Sequence, residues 1–140
     1  MDSDPITIHV LDSVTGLPAA NVNITLALIN PIDSKPLSFH ALTASSGRIS
    51  RWTASAQGAH SLQELISDRK VRVGGLGRMI WSLKVDTLAY WGEGKTFYPE
   101  VEVKFFVGGV SDDEKIETGN FHIHVPLILG PWGYTTYRGS

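Results

Sequence analysis

Residues 121–129 read Phe121-His122-Ile123-His124-Val125-Pro126-Leu127-Ile128-Leu129. Side chains alternate across an extended strand, so Phe121, Ile123, Val125, Leu127 and Leu129 share one face, while His122, His124 and Ile128 share the other. That pattern belongs to a sheet with one side against a core. Two strand steps separate the imidazoles by about 7 Å. They are near enough to touch one small ligand or one water, and too far apart to bond each other. The chain then runs to Thr136-Tyr137-Arg138-Gly139-Ser140 and stops on a guanidinium, a hydroxyl and a carboxylate. Chain termini are commonly frayed. This one follows a strand too apolar to leave in water, and it reads as a docked, functional terminus.

Working back from that strand, the same period recurs. Ile6, Ile8 and Val10 alternate with Thr7, His9 and Leu11 and end at the turn Asp12-Ser13-Val14-Thr15-Gly16. Val22, Ile24, Leu26 and Leu28 mark a second strand, and Asn30-Pro31 opens a loop. Further strands are expected over residues 38–43, 47–52, 79–85 and 101–107, the last with Val101, Val103, Phe105 and Val107 opposite Glu102, Lys104 and Phe106. Ser61-Leu62-Gln63-Glu64 has the form of a capping box opening one short helix. Residues 87–91 read as a turn or brief helix, residues 108–119 as an exposed polar hairpin loop, and the strand carrying the two histidines as the last. About seven short strands with one short helix predict a mainly β fold, an antiparallel β-sandwich, in a single domain over residues 1–140.

Composition narrows the partners. The chain has 140 residues, no cysteine, and 12 basic against 14 acidic residues for a net charge of −2. No disulfide framework or thiolate metal site is open to it. The charge gives no electrostatic case for nucleic acid or an anionic membrane, and a small, near-neutral or polar substrate is expected instead. No apolar run approaches a membrane span, the first residues lack a signal-peptide pattern, and Arg-Gly-Ser is not the Ser-Lys-Leu peroxisomal signal. A cytoplasmic protein is the expectation.

The chemistry rests on few residues. His9 faces away from Ile6, Ile8 and Val10, and Arg48 follows Ser45-Ser46-Gly47 at the entry to a strand. Three histidines, His9, His122 and His124, allow a zinc site with an open position, where bound water reaches a pKa of about 7. They equally allow metal-free catalysis in which one neutral imidazole takes a proton from water and another returns it. The H-x-H pattern alone does not separate the two. Arg48 cannot serve as a base, but its fork of donors suits a carbonyl or a developing oxyanion. Gly74-Gly75-Leu76-Gly77 lacks the lysine and βαβ setting of a phosphate loop, and Asp112-Asp113-Glu114 lacks EF-hand spacing. Trp52, Trp81, Trp91 and Trp132 are assigned to core or subunit contacts.

Several stretches together resemble a known family. Ile8-His9-Val10-Leu11-Asp12, Thr15-Gly16-Leu17-Pro18-Ala19, Gly47-Arg48, Val85-Asp86-Thr87, Phe97-Tyr98-Pro99-Glu100-Val101, His122-Ile123-His124-Val125-Pro126-Leu127 and the terminal Tyr137-Arg138-Gly139-Ser140 are similar, in order, to the 5-hydroxyisourate hydrolases, the transthyretin-related enzymes of purine catabolism. The terminal tetrapeptide is the specific part. The resemblance implies a transthyretin-like (prealbumin-like) sandwich, a homotetramer with sites at the dimer–dimer interface, and metal-free, cofactor-free hydrolysis of a purine-derived substrate. It implies His9, Arg48 and His124 as the catalytic group, His122 in a supporting role, and Tyr137, Arg138, Gly139 and Ser140 as the wall of the site.

The sequence also departs from the family pattern. Ser46 stands where aspartate is usual, Gly130-Pro131-Trp132 replaces Ser-Pro-Tyr, and residues 71–80 and 108–119 look extended. Two other functions are therefore carried forward: a diverged paralogue acting on another cyclic amide or imide, and a non-catalytic carrier of small ligands.

Overall fold

The computed structural model describes residues 3–32, 36–67, 71–74, 78–108 and 122–140. Phe121, Asp112-Asp113-Glu114, most of the 108–119 loop and part of the 71–80 stretch lie outside them. Strands β1 (Ile6–Asp12), β2 (Leu17–Pro18), β5 (Arg48–Ile49), β9 (Ile123–Leu129) and β10 (Tyr134–Thr136) form one sheet. In it β10, β9, β1 and β2 lie side by side, and β5 adds to β1. The second sheet has the order β6 (Thr53–Ala54), β4 (Leu37–Leu42), β3 (Asn23–Leu28), β7 (Met79–Val85), β8 (Val101–Val107).

The alternation works as expected. Ile123, Val125, Leu127 and Leu129 are buried on β9, Ile6, Ile8 and Val10 on β1, and Ile24, Leu26 and Leu28 on β3. With Trp81 and Phe39 they make the layer between the sheets. Fully burying one such side chain contributes roughly 1.5–3 kcal/mol, so the core rather than any polar contact holds the sheets together.

Four details differ from the sequence reading. The sandwich is not wholly antiparallel: β1 and β9 run parallel, in the register Ile6↔Ile123 through Asp12↔Leu129. Residues 47–52 are not one strand: only Arg48–Ile49 is extended there, as β5 on β1, and the chain then crosses to the other sheet, where β6 pairs with β4. Between them Trp52 anchors the crossing, its backbone N–H donating to the Asp4 carboxylate at 2.7 Å and its indole N–H to the Ile6 carbonyl at 2.8 Å. There are two short helices, because residues 87–91, expected as a turn or brief helix, form a helix. In α1 (Leu62–Ile66) Ser61 and Glu64 form the capping box, and Leu62, Leu65 and Ile66 point into the core. In α2 (Thr87–Trp91) Asp86 is the N-cap. Finally, β10 follows the histidine strand and pairs with β9 through Tyr134↔Leu129, Thr135↔Ile128 and Thr136↔Leu127.

Polar ties fix the loops near β1. Asp12 accepts the N–H groups of Val14 and Thr15 and the hydroxyl of Tyr90 at 2.6 Å. Burial pushes the Asp12 carboxyl up, but these bonds outweigh it and hold the group below its ordinary value. Burial, with the hydrogen bond to Asp12 second and its charge third, pushes the Tyr90 phenol up to about 12. The pair joins the β1–β2 turn to α2. Among the described residues no helix is long and apolar enough to cross a membrane.

Thr43 closes the other end. Its buried hydroxyl donates to the Ala19 carbonyl at 2.7 Å and accepts from the Val22 N–H at 2.9 Å. Thr43→Val keeps the shape and strands both backbone groups, so it should cost about 1–3 kcal/mol. Urea unfolding followed by tryptophan fluorescence checks this; an unchanged midpoint and slope would mean that water replaces the hydroxyl.

Candidate active site

The parallel register of β1 and β9 sets Thr7 directly opposite His124. The Thr7 hydroxyl lies 2.8 Å from His124 Nδ1 and 3.0 Å from His122 Nε2, so one oxygen bridges two rings that cannot reach each other. Thr7 and His9 lie on one face of β1, two residues apart. On the other side of β1, β5 pairs antiparallel and puts Arg48 opposite His9.

Arg48 is aimed by a backbone turn. Gly47 N–H donates to the Ala44 carbonyl at 2.8 Å, Ala44 N–H to the Arg48 carbonyl at 3.0 Å, and Val10 N–H to the Gly47 carbonyl at 2.8 Å. Gly47 has φ of +77°, and a Cβ there would collide with the Val10 carbonyl. The glycine is therefore required twice over, by conformation and by space. Ser46, in place of the usual aspartate, points outward, and the backbone bonds that close the turn do not depend on it.

The C-terminal segment supplies the remaining wall. Gly139 N–H donates to the His124 carbonyl at 2.8 Å, and a Cβ on Gly139 would come within 2.7 Å of His124 Cδ2 and 3.1 Å of Pro126 Cγ. The Cδ2 edge of the imidazole thus packs where a side chain at residue 139 would have to stand. Beyond it, Ser140 joins Ser3, Thr7, Arg48, Ser50, His122 and His124 around a cavity of about 290 Å³, floored by Ile8 and Ile49. This is near the small end of ligand pockets, about 300–1,000 Å³. His9 is half-buried and does not line the cavity itself, although its charge acts on His124. Tyr137 and Arg138 are placed apart, along a more apolar cavity of about 230 Å³ with Val103, Phe105, Phe106 and Thr136. Trp132 is exposed and lines neither.

Electrostatics distinguish one histidine. Burial is the largest cause holding His124 below its ordinary pKa, followed by the positive charges of Arg48, His9 and His122. At neutral pH its ring is a free base, able to accept a proton. Among the described residues no three His, Asp or Glu side chains are grouped to hold a metal ion. The residues that sequence reasoning missed are Thr7, Ser3 and Ser50. Hydroxyl residues are common in strands and loops, and no spacing marked these three.

The folded protein disfavours the His124 imidazolium, so the site resists acid charging: its stability contribution is complete above the unfolded histidine pKa and falls away as pH drops through that of the folded ring. Replacing Arg48 by Gln removes one opposing charge and should move the His124 midpoint upward in an NMR titration. A midpoint that stayed fixed or fell would place the guanidinium away from the ring.

Comparison with known proteins agrees with the fold. The HIUase/Transthyretin family model matches residues 6–139. A 5-hydroxyisourate hydrolase of Mus musculus is 33% identical, covering 99% of this chain and 98% of that protein. A probable 5-hydroxyisourate hydrolase of Schizosaccharomyces pombe is 32% identical, covering 96% and 90%. Among solved structures, Klebsiella pneumoniae 5-hydroxyisourate hydrolase superposes with a TM-score of 0.60 at 23% identity, covering 96% of this chain and 98% of that one. Sparus aurata transthyretin gives 0.64 at 23% identity, covering 97% of each.

Proposed function

The chain belongs to the HIUase/Transthyretin family, and from that premise we propose that it is a hydrolase that opens the six-membered ring of 5-hydroxyisourate to give 2-oxo-4-hydroxy-4-carboxy-5-ureidoimidazoline. One observation carries the reading. Arg48, His122 and His124 meet around one small cavity, with His9 close behind, in a chain about a third identical over nearly its full length to proteins named for this activity.

The chemistry asked of the site is addition of water to a cyclic amide. A water held between His9 and His124 gives a proton to an imidazole as its oxygen attacks the ring carbonyl. Arg48 faces the carbonyl oxygen and stabilises the charge that gathers there. The C–N bond then breaks, an imidazole returns the proton to the departing nitrogen, and the carbonyl carbon leaves as a carboxylate. Each step is a proton or charge movement that these side chains perform without a cofactor. Ser140 and Gly139 form the wall against which the ring of the substrate rests, whereas Tyr137 and Arg138 line the separate apolar cavity. The assembled protein is a homotetramer with the sites between dimers. The other reading that the fold allows is a small-ligand carrier, and it leaves the charged, proton-transferring cavity without a use. Ser46 and Trp132 are exposed and line neither cavity of the single chain.

The test is the ultraviolet decay of 5-hydroxyisourate freshly made from urate, measured against its spontaneous decay. The protein should accelerate it, with or without chelator. His9→Ala and His124→Ala should each lose about 10²–10⁴ in rate. Full activity in either variant, at the wild-type oligomer size, would remove that histidine from the mechanism. Sedimentation should give four times the 15.3 kDa chain mass, and a monomer with full activity would overturn the interfacial site.

A further inference from the structure

The geometry points to Thr7 as a positioning residue that fixes the tautomer of His124 and links it by a proton relay to His122. This rests on the hydrolytic reading of the same cavity for its catalytic part, and on hydrogen-bond arithmetic for the rest. A threonine hydroxyl carries one proton and can accept two bonds. Thr7 Oγ1 has two ring nitrogens within 3.0 Å, His124 Nδ1 and His122 Nε2, and it can donate to only one of them. Among the described residues the hydroxyl has no third hydrogen-bond partner, so the other nitrogen must carry a proton and donate to it.

Two arrangements remain. If Thr7 donated to His124, that ring would carry its proton on Nε2 and could not use it as a base. His124 Nδ1 is occupied by Thr7, which leaves Nε2 as the nitrogen free to meet water. A base at that atom requires the proton on Nδ1. The chain is then His124 Nδ1–H to Thr7 Oγ1, and Thr7 O–H to His122 Nε2. The neighbours fit it: Arg48 on β5 and His9 on β1 oppose a full charge on His124, Gly139 leaves room for the edge of the ring, and His122 is exposed to water that can solvate a cation.

Proton balance closes over a turnover. As the attacking water gives its proton to His124 Nε2, the Nδ1 proton passes to Thr7 while the Thr7 proton passes to His122. His122 becomes the imidazolium, and His124 stays neutral. When the ring C–N bond breaks, His124 Nε2 gives its proton to the departing nitrogen. The His122 Nε2 proton then returns to Thr7, and the Thr7 proton returns to His124 Nδ1. The charge thus moves from a half-buried ring to an exposed one and back, with His9 orienting the water.

Ring nitrogen chemical shifts of His122 and His124, measured on wild-type protein and on Thr7→Val and Thr7→Ser, test the assignment without any substrate. At pH 8 the wild type should show His124 protonated on Nδ1 and His122 with a free Nε2. Thr7→Val should lose that preference and Thr7→Ser should keep it. In the decay assay Thr7→Val should lose roughly tenfold in rate, about what one orienting hydrogen bond is worth, with the acidic limb of its pH profile displaced and Thr7→Ser near wild type. A wild-type His124 protonated on Nε2 would overturn the relay even if Thr7→Val does not fold. So would a Thr7→Val enzyme with unchanged rate and profile. If the wild type does not accelerate the decay at all, the substrate reading fails while the nitrogen shifts still decide the tautomer.

Discussion

The parallel pairing of β1 with β9 is the constraint on which the site depends. It joins segments 115 or more residues apart, and its register decides which side chains meet. A slip of one residue would turn Ile6, Ile8 and Val10 out of the core and remove Thr7 from His124 together. The apolar faces therefore specify the polar ones: burying Ile123, Val125 and Leu127 against the opposite sheet leaves His124 and Pro126 no choice but to face Thr7 and His9. The geometry of the cavity is carried by the core, which has far more free energy to hold a register than a pair of hydrogen bonds.

Around that pair, two backbone devices do the aiming. The turn closed at Gly47 delivers Arg48 across from His9, and the bridge between Gly139 and His124 brings the end of the chain over the imidazole. Both rely on glycine for space. The outcome is a cavity in which burial first, and the Arg48 guanidinium next, discourage His124 from charging, so the ring is kept as a base. A site of this kind has its charge arranged before the substrate arrives, which is the condition for electrostatic stabilisation of a developing oxyanion.

Much of this was legible in the sequence. The period-two pattern at residues 121–129 placed His122 and His124 on one face and five apolar residues on the other, and the buried faces of β1, β3 and β8 followed in the same way. The family resemblance named His9, Arg48 and the Tyr-Arg-Gly-Ser end. What stayed hidden was set by distant pairing. Thr7 is an ordinary strand residue until β9 is laid beside it. The crossing from β5 in one sheet to β6 in the other has no signature in periodicity, since each of these strands is two residues long. β10 was missed because Tyr134-Thr135-Thr136 is too short and too polar to announce itself, and Tyr137 and Arg138 followed it to a different cavity from Ser140. The parallel direction of β1 against β9 is likewise invisible in alternation, which is the same for either direction.

The most direct measurement is a crystal structure of the protein with a purine-dione analogue of 5-hydroxyisourate that lacks the hydrolysable bond. A ring carbonyl oxygen is expected within hydrogen-bond reach of Arg48, beside a water that touches His124 Nε2, with Thr7 still between His122 and His124. An analogue seated in the cavity of Val103, Phe105 and Tyr137, or bound with no ring atom near Arg48 and His124, would contradict it.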